Sequence, residues 1–266
     1  MSRWAWLVRA LPVVVVLVIV GALANYGFTT VEDPTVPRSA RVSTAASGPS
    51  VLVGSWVAKP VKATAPTSFL VADAAGPSVS LFSAPDVPYA EKPALANPTH
   101  EGLPVVFPVL EDKGPWLKVR VSSRPNNLVL WVQRDQVTFR TVPNHVRVEV
   151  GARRVTVFHG NDVLLQETVA IGADRTPTPL GNFFVDGTVP LTPDSGPYGA
   201  GQVSVAGFSD ALQSFGGGIG QIALHGTNRP QLLGQNVSNG CVRLSNEAIT
   251  RMMFLAPLGT PVDIVA

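Results

Sequence analysis

The sequence predicts a mainly β fold, and three observations support this prediction. Only 14% of the 266 residues are charged, so the residues that usually cover the outer face of helices are scarce. Glycine and proline are frequent, with 24 of each, and they mark many turns. Runs such as Val146–Val150 alternate apolar and other residues, as strands with one buried face do. We therefore expect short strands joined by tight turns, with one or two short helices.

The first 28 residues predict export from the cytoplasm. Arg3 and Arg9 flank the start of an apolar run that extends to Ala24. Positive charge ahead of an apolar segment is typical of export signals. The length of the run fits both a cleaved signal peptide and a retained signal-anchor, so both alternatives stay open. No cysteine lies near its end, which excludes a lipoprotein anchor.

Three regions follow the export segment. Residues 29–66 are rich in Pro, Ala, Ser and Thr and predict an extended linker. Residues 67–142 contain short apolar runs interrupted by prolines, which predicts a small β domain. Residues 144–266 open with strands expected to form consecutive hairpins, the last of them reaching Ile171. A helix capped by Ser245 or the next residue is predicted near the C-terminus.

Charge and composition exclude several classes of function. The net charge is only +2, and the basic residues form no cluster, so we expect no nucleic-acid partner. One cysteine and four scattered histidines provide no metal-ligand spacing. We therefore predict no metal and no cofactor.

Cys241 is the only cysteine of the chain. It can be an idle residue, half of an intermolecular disulfide, or a nucleophile. A nucleophilic thiol must lose its proton, and a nearby imidazole can accept it. His225 lies upstream in an apolar run, and the two residues meet if Gln221–His225 and Ser238–Arg243 are neighbouring segments. This arrangement favours a nucleophile.

The residues around Cys241 suggest further roles. The backbone of Gly240 can adopt unusual dihedral angles, so the amides of Asn239, Gly240 and Cys241 can converge on a developing oxyanion. No carboxylate is near His225 in the sequence, so we expect the carbonyl of Gly226 to orient the imidazole. Arg243 can bind a substrate carboxylate or a cluster of backbone carbonyls.

These motifs resemble the signature of the L,D-transpeptidase (YkuD-type) family. The matching segments are His225-Gly226-Thr227 and Ser238-Asn239-Gly240-Cys241-Val242-Arg243. The upstream segments Thr176–Phe184 and Pro197-Tyr198-Gly199 resemble the family's Thr-Pro-X-Gly-X-Phe and substrate-side loops. Two departures are visible: Asn239 stands where many members carry a second histidine, and the Thr-Pro loop is one residue longer.

The smaller domain also resembles a known module. Trp116–Arg120, followed by a turn and Leu130–Gln133, is similar to bacterial SH3-like domains, with Leu130 in place of the usual glycine. The two resemblances imply a small SH3-like β-barrel followed by an L,D-transpeptidase β-sandwich-like catalytic domain.

The resemblance implies a reaction on peptidoglycan stem peptides. Cys241 would accept the acyl group of a tetrapeptide stem as a thioester, D-alanine would leave, and an amine of a neighbouring stem would give a 3→3 cross-link. Carbapenem-type inhibitors are expected to acylate the same thiol. The protein would act in the bacterial cell envelope, either membrane-anchored or secreted to the wall. The resemblance implies catalytic roles for Cys241, His225 and Gly226, and substrate contacts for a second set: Tyr198, Thr227, Asn228, Ser238 and Arg243.

Other functions are compatible with parts of this pattern. The same site could release the acyl group to water, as an L,D-carboxypeptidase does, or attach a protein to the wall. A non-catalytic peptidoglycan-binding protein would have no need of both His225 and Cys241. A sortase-type enzyme would carry a Thr-X-Thr-Cys strand, which the sequence lacks.

Overall fold

The structure is a computed structural model that describes residues 65–192, 196–216 and 218–266. The predicted export segment (1–28) and nearly all of the predicted linker (29–66) lie outside these residues. Within the described ranges, no helix has the length and apolar character needed to cross a membrane.

The first part of the described chain, which we call the N-terminal module, is built from nine strands. In chain order they are β1 (Phe69–Ala74), β2 (Ser78–Ser80), β3 (Phe82–Ala84), β4 (Val87–Pro88), β5 (Ala94–Ala96), β6 (Val106–Lys113), β7 (Trp116–Arg120), β8 (Val129–Gln133) and β9 (Val137–Val142). Seven of them form one sheet in the order β4-β3-β8-β7-β6-β1-β9, and β2 pairs with β5. Leu117, Val119 and Val132 are fully buried in a core of their own, as the alternation in β7 and β8 predicts.

The second part, the C-terminal module, contains ten strands and one α-helix. They are β10 (His145–Glu149), β11 (Arg154–His159), β12 (Asp162–Thr168), β13 (Ile171–Gly172), β14 (Gly181–Pro190), β15 (Gly201–Phe208), β16 (Gln221–His225), β17 (Asn236–Ser238), β18 (Val242–Arg243), α1 (Asn246–Leu255) and β19 (Pro261–Val265). Eight strands form a sheet in the order β12-β11-β10-β19-β14-β15-β16-β18, while β13 pairs with β17.

The predicted hairpins are confirmed for β10, β11 and β12, with one correction. The last strand ends at Thr168 and does not continue to Ile171. Val169 and Ala170 are buried, and Ile171–Gly172 pairs in parallel with β17. Successive residues of a strand point to opposite faces of its sheet, so a run of buried apolar residues does not suit a strand with one solvent-facing side. The chain leaves the large sheet at this run.

The predicted helix is confirmed and begins directly after Ser245. The Ser245 hydroxyl accepts a hydrogen bond from the amide of Ala248 at 3.1 Å, which satisfies a donor in the first turn. Ile249 and Met252 are fully buried against the C-terminal module. The helix thereby holds the chain that follows Cys241 against the sheet.

A third apolar cluster joins the two modules. Val71, Val106 and Val142 of the N-terminal module pack with Phe184 and Ala206 of the C-terminal module. Burial of large side chains such as phenylalanine contributes about 1.5–3 kcal/mol each, so this contact fixes one module against the other.

The mainly β fold class is confirmed by these two sheets. The SH3-like assignment of residues 67–142 and the domain boundaries at 67, 142 and 144 stay predictions.

Candidate active site

Two neighbouring strands bring His225 and Cys241 to the same edge of the large sheet. β16 ends at His225, and it runs parallel to β18, which begins one residue after Cys241. The register pairs Leu224 with Val242 and His225 with Arg243. The proximity predicted from the two motifs is therefore confirmed.

The imidazole of His225 is buried and held in one orientation. Its Nδ1 lies 2.6 Å from the carbonyl oxygen of Gly226, as predicted. Because a carbonyl only accepts, Nδ1 carries the proton and Nε2 is left as the basic nitrogen. The ring of Tyr198 packs against the imidazole, with the ring centroids 4.7 Å apart.

Asn246 fixes the loop that begins at His225, a role that the sequence motifs do not predict. Its side-chain Oδ1 accepts hydrogen bonds from the amides of Thr227 and Ala200, both at 3.1 Å. A Cβ on Gly226 would lie only 2.4 Å from this oxygen, so the loop requires glycine there. Asn246 is the first residue of α1, five positions after Cys241, and nothing in the local sequence predicts its contact with the loop.

The turn that presents Cys241 is built by Ser238 and Gly240. The Ser238 hydroxyl donates to the carbonyl of Cys241 at 2.5 Å and accepts from the amide of Gly240 at 3.1 Å. Gly240 has a φ of 113°, a backbone conformation that residues other than glycine rarely adopt. The Gly240 amide, one of three predicted oxyanion donors, is thus already hydrogen-bonded within the turn.

Burial keeps both members of the pair uncharged at rest. It raises the pKa of the Cys241 thiol, an effect opposed by the backbone N–H of Ala223 and the positive charge of Arg243. It also lowers the pKa of His225 to about 4, although the hydrogen bond to Gly226 favours the protonated ring. The site therefore holds a neutral thiol beside a neutral base at neutral pH.

The predicted substrate-binding residues lie in different environments. Tyr198 lines the cavity that contains Cys241, whereas Asn228 and the predicted oxyanion residue Asn239 are exposed. Thr227 is buried, and its hydroxyl accepts from the amide of Arg229 at 3.0 Å. Ser238 is buried in the turn just described. Arg243 is partly buried, and its backbone pairs with Ala170.

A cavity of about 200 Å³ opens beside Cys241, and we call it the thiol cavity. Gln202 and Ser204 of β15 line one part of it, and Phe215 and Ile219 line another. Glu101, which belongs to the N-terminal module, also lines it. The sequence offered no signal for a contribution from that module.

Residues 209–216 and 218–220, which we call the wall loop, are held by a turn of the N-terminal module. One terminal nitrogen of Arg124 donates to three carbonyls, those of Ser209, Leu212 and Ile219, at 3.1, 3.2 and 3.1 Å. The guanidinium also lies 5.2 Å from the ring centroid of Phe208. Asn126 exchanges two further hydrogen bonds with the backbone of Phe208, at 2.7 and 2.8 Å.

We expect Arg124→Ala to loosen the wall loop. A hydrogen bond from a charged donor contributes about 1.5–3 kcal/mol, so amide hydrogen exchange in this loop should rise by about tenfold or more. Amide hydrogen exchange measured by mass spectrometry checks this prediction. Arg134→Ala, in the β8–β9 connection, is the control. Equal exchange in the wild type and Arg124→Ala would show that the clamp does not order the loop.

Comparison with known proteins adds family information to this geometry. A model of the YkuD family, described as the L,D-transpeptidase catalytic domain, matches residues 143–264. YkuD of Bacillus subtilis (strain 168), named as an L,D-transpeptidase, is 32% identical over 124 residues, which are 47% of this chain and 67% of that protein. YkuD of Bacillus licheniformis is 29% identical over 124 residues, which are again 47% of this chain and 67% of that protein. A solved L,D-transpeptidase from Mycobacterium smegmatis aligns at 19% identity, with a TM-score of 0.39, over 59% of this chain and 80% of that one.

Proposed function

Because this chain belongs to the L,D-transpeptidase (YkuD) family, we propose that it forms 3→3 peptidoglycan cross-links through a thioester on Cys241. The observation that supports this most is the buried imidazole of His225. Its Nδ1 is held by Gly226, and its strand runs beside the start of β18, where the thiol is presented. The thiol, in turn, lines a cavity of about 200 Å³.

In the first step, Cys241 attacks the carbonyl of the third residue of a tetrapeptide stem. As the S–C bond forms, the thiol proton moves to Nε2 of His225. The imidazolium then donates this proton to the nitrogen of D-alanine as the C–N bond breaks. D-Alanine leaves, and the enzyme holds the acyl group as a thioester.

In the second step, an amine of a neighbouring stem attacks the thioester. The new C–N bond forms, the C–S bond breaks, and the amine proton passes through His225 to the sulfur. Cys241 and His225 are then neutral again, as at rest. Water in place of the amine would give a tripeptide, which is the carboxypeptidase reaction.

The oxyanion that forms in each step needs hydrogen-bond donors. The backbone amide of Cys241 is the strongest candidate, because the Gly240 amide is engaged by Ser238. Opening of that bond would add a second donor, and each good donor is worth about 3–4 kcal/mol in the transition state. Arg243 adds positive charge near the thiol and favours the thiolate.

We further propose that the export segment places the described modules in the cell envelope, either by a membrane anchor or after cleavage. Tyr198 would contact the stem peptide, since it lines the thiol cavity. Carbapenems would acylate Cys241 as donor mimics.

Mass spectrometry of the full chain incubated with a purified disaccharide tetrapeptide tests the reaction. A 3→3 dimer with released D-alanine supports the proposal. Tripeptide alone indicates an L,D-carboxypeptidase. Unchanged tetrapeptide that stays bound to the protein would support a peptidoglycan-binding role and would overturn the proposal.

A further inference from the structure

A second cavity, of about 310 Å³, lies between the two modules. We call it the inter-module cavity. Leu103 and Phe107 line it from the N-terminal module, and Phe208 lines it from the end of β15. Its volume is at the lower end of the range for small-molecule sites, so it can admit one extended chain segment.

The inter-module cavity adjoins the thiol cavity. The two share three wall residues: Glu101, Ile219 and Gln221. Ile219 belongs to the wall loop that Arg124 holds. A molecule in the inter-module cavity would therefore lie next to an acyl group on Cys241.

The shared wall is fixed on one side. The side-chain nitrogen of Gln221 donates to Asp186 Oδ2 at 2.7 Å, to Ser204 Oγ at 3.1 Å and to the carbonyl of Val205 at 3.0 Å. Asp186 Oδ2 also accepts from the hydroxyl of Ser122 at 2.5 Å. These bonds tie β14 and β16 to the N-terminal module and keep Gln221 in place.

Glu101 is the carboxylate that remains available to a ligand. It is exposed, and it lies at the junction of the two cavities. In Asp186, the other carboxylate on this wall, Oδ2 accepts from Ser122 and Gln221, Oδ1 is buried away from solvent, and burial raises the pKa. Lys92 and His100 line the inter-module cavity but not the thiol cavity, whereas Glu101 lines both.

We infer that the inter-module cavity receives the amine-bearing side chain of the acceptor stem, with Glu101 as the residue that attracts its ammonium group. The ammonium gives up one proton to solvent before the neutral amine attacks the thioester. This inference rests on the proposed function, which requires an amine to reach the thioester after D-alanine has left. The apolar walls at Leu103 and Phe208 fit the methylene chain of a diamino acid, and the carboxylate fits its charged end. The N-terminal module thus supplies part of the acceptor site.

Glu101→Gln in the full chain tests this inference by separating acylation from transfer. The donor is the disaccharide tetrapeptide, and the acceptor probe is Nα-acetyl-lysine methylamide, a soluble chain with one aliphatic amine. Intact-protein mass spectrometry follows the acyl-enzyme, and product analysis gives the ratio of amide to tripeptide. Because Glu101 also lines the thiol cavity, the acylation rate is measured separately for each variant. We expect the apparent KM for the amine to rise by about two- to fivefold, the range for loss of an exposed charge–charge contact.

A second variant fills the cavity. Leu103→Trp should lower the amide-to-tripeptide ratio by about tenfold or more while the thiol is still acylated, because water still reaches the thioester. Glu111→Gln is the matched control: it removes a carboxylate of the same module that contacts Lys113 and Lys118 and lines neither cavity.

The outcomes distinguish this inference from the proposed function. If the wild type forms no acyl-enzyme from the tetrapeptide, the proposed function fails. If acyl-enzyme forms and the KM for the amine is the same in Glu101→Gln and Glu111→Gln, the acceptor inference fails alone. An unchanged product ratio in Leu103→Trp would also contradict it.

Discussion

Replacing Cys241 with alanine is expected to abolish both turnover of the tetrapeptide and covalent labelling by a penem. The chain has no other cysteine, so no second thiol can accept the acyl group. Removal of a nucleophile of this kind lowers the rate by at least about 10⁴-fold. Intact-protein mass spectrometry after incubation with faropenem gives a direct measurement, since each acylated molecule gains the mass of the inhibitor fragment.

Cys241→Ser provides the matched comparison. It keeps the shape of the turn and the hydrogen bond from the Ser238 hydroxyl to the backbone, but offers a hydroxyl that a neutral imidazole ionises far less readily. Both variants should retain the thermal stability of the wild type within a few degrees. Labelling that survives in Cys241→Ala would show that the acyl group is carried elsewhere and would refute the proposed mechanism.

The second large effect concerns His225. We expect His225→Gln to slow acylation of Cys241 by about 10²- to 10⁴-fold, because the thiol loses its base while its own pKa is raised by burial. The pH dependence should change as well. In the wild type, acylation needs a neutral imidazole, and the pKa of His225 is lowered to about 4. The rate should therefore fall only as the pH drops through about 4, and not near the ordinary value of 6.5.

Stopped-flow measurement of penem acylation across this pH range checks both parts of the prediction. In His225→Gln the acid limb should vanish, and the residual rate should rise with pH as the thiol ionises. His159→Gln is the control, since the Nδ1 of that ring lies 3.1 Å from the carbonyl oxygen of Pro143, between β9 and β10. An acid limb of the same midpoint in wild type and His225→Gln would rule out His225 as the base.

The two effects have one physical origin. A partly buried thiol and a buried imidazole both favour their neutral forms, because the low-dielectric surroundings penalise charge. Arg243 favours the thiolate but disfavours the imidazolium. Under the proposed function, we therefore expect proton transfer between the two groups to be coupled to substrate attack.

Under the proposed function, the contacts of Arg124 and the position of Glu101 would give the N-terminal module a part in this chemistry. Arg124 donates hydrogen bonds to the backbone of the wall loop, and Glu101 lines the thiol cavity. The apolar cluster that contains Val71 and Phe184 joins the module of Arg124 and Glu101 to the module of Cys241. Variants that weaken the contact between modules should therefore impair transfer to the acceptor before they impair acylation.

Much of the site could be predicted from local sequence. The short motifs at His225 and Cys241 encode their own loop geometry, since glycine positions and side-chain oxygens act over a few residues. Gly226 as the partner of the imidazole followed from the lack of a nearby carboxylate, and the structure confirms the contact. The helix start at Ser245 was visible for the same reason.

Other features could not be predicted, because their partners are distant in sequence. Asn246 holds the loop at Thr227 through an amide that lies 19 positions away. Arg124 contacts carbonyls 85, 88 and 95 positions away. No periodicity encodes such contacts, which depend on how two folded sheets pack.

The sequence by itself determined the mainly β class, the lone thiol, the histidine motif upstream of it and the family they indicate, because each depends on residue type and short spacing. Only the tertiary structure decided the charge state of the pair, since burial is a property of the packed sheet. The tertiary structure also decided that both modules line the thiol cavity. Glu101 and Cys241 are 140 positions apart in sequence, and only the packing of the two modules brings them to the same cavity.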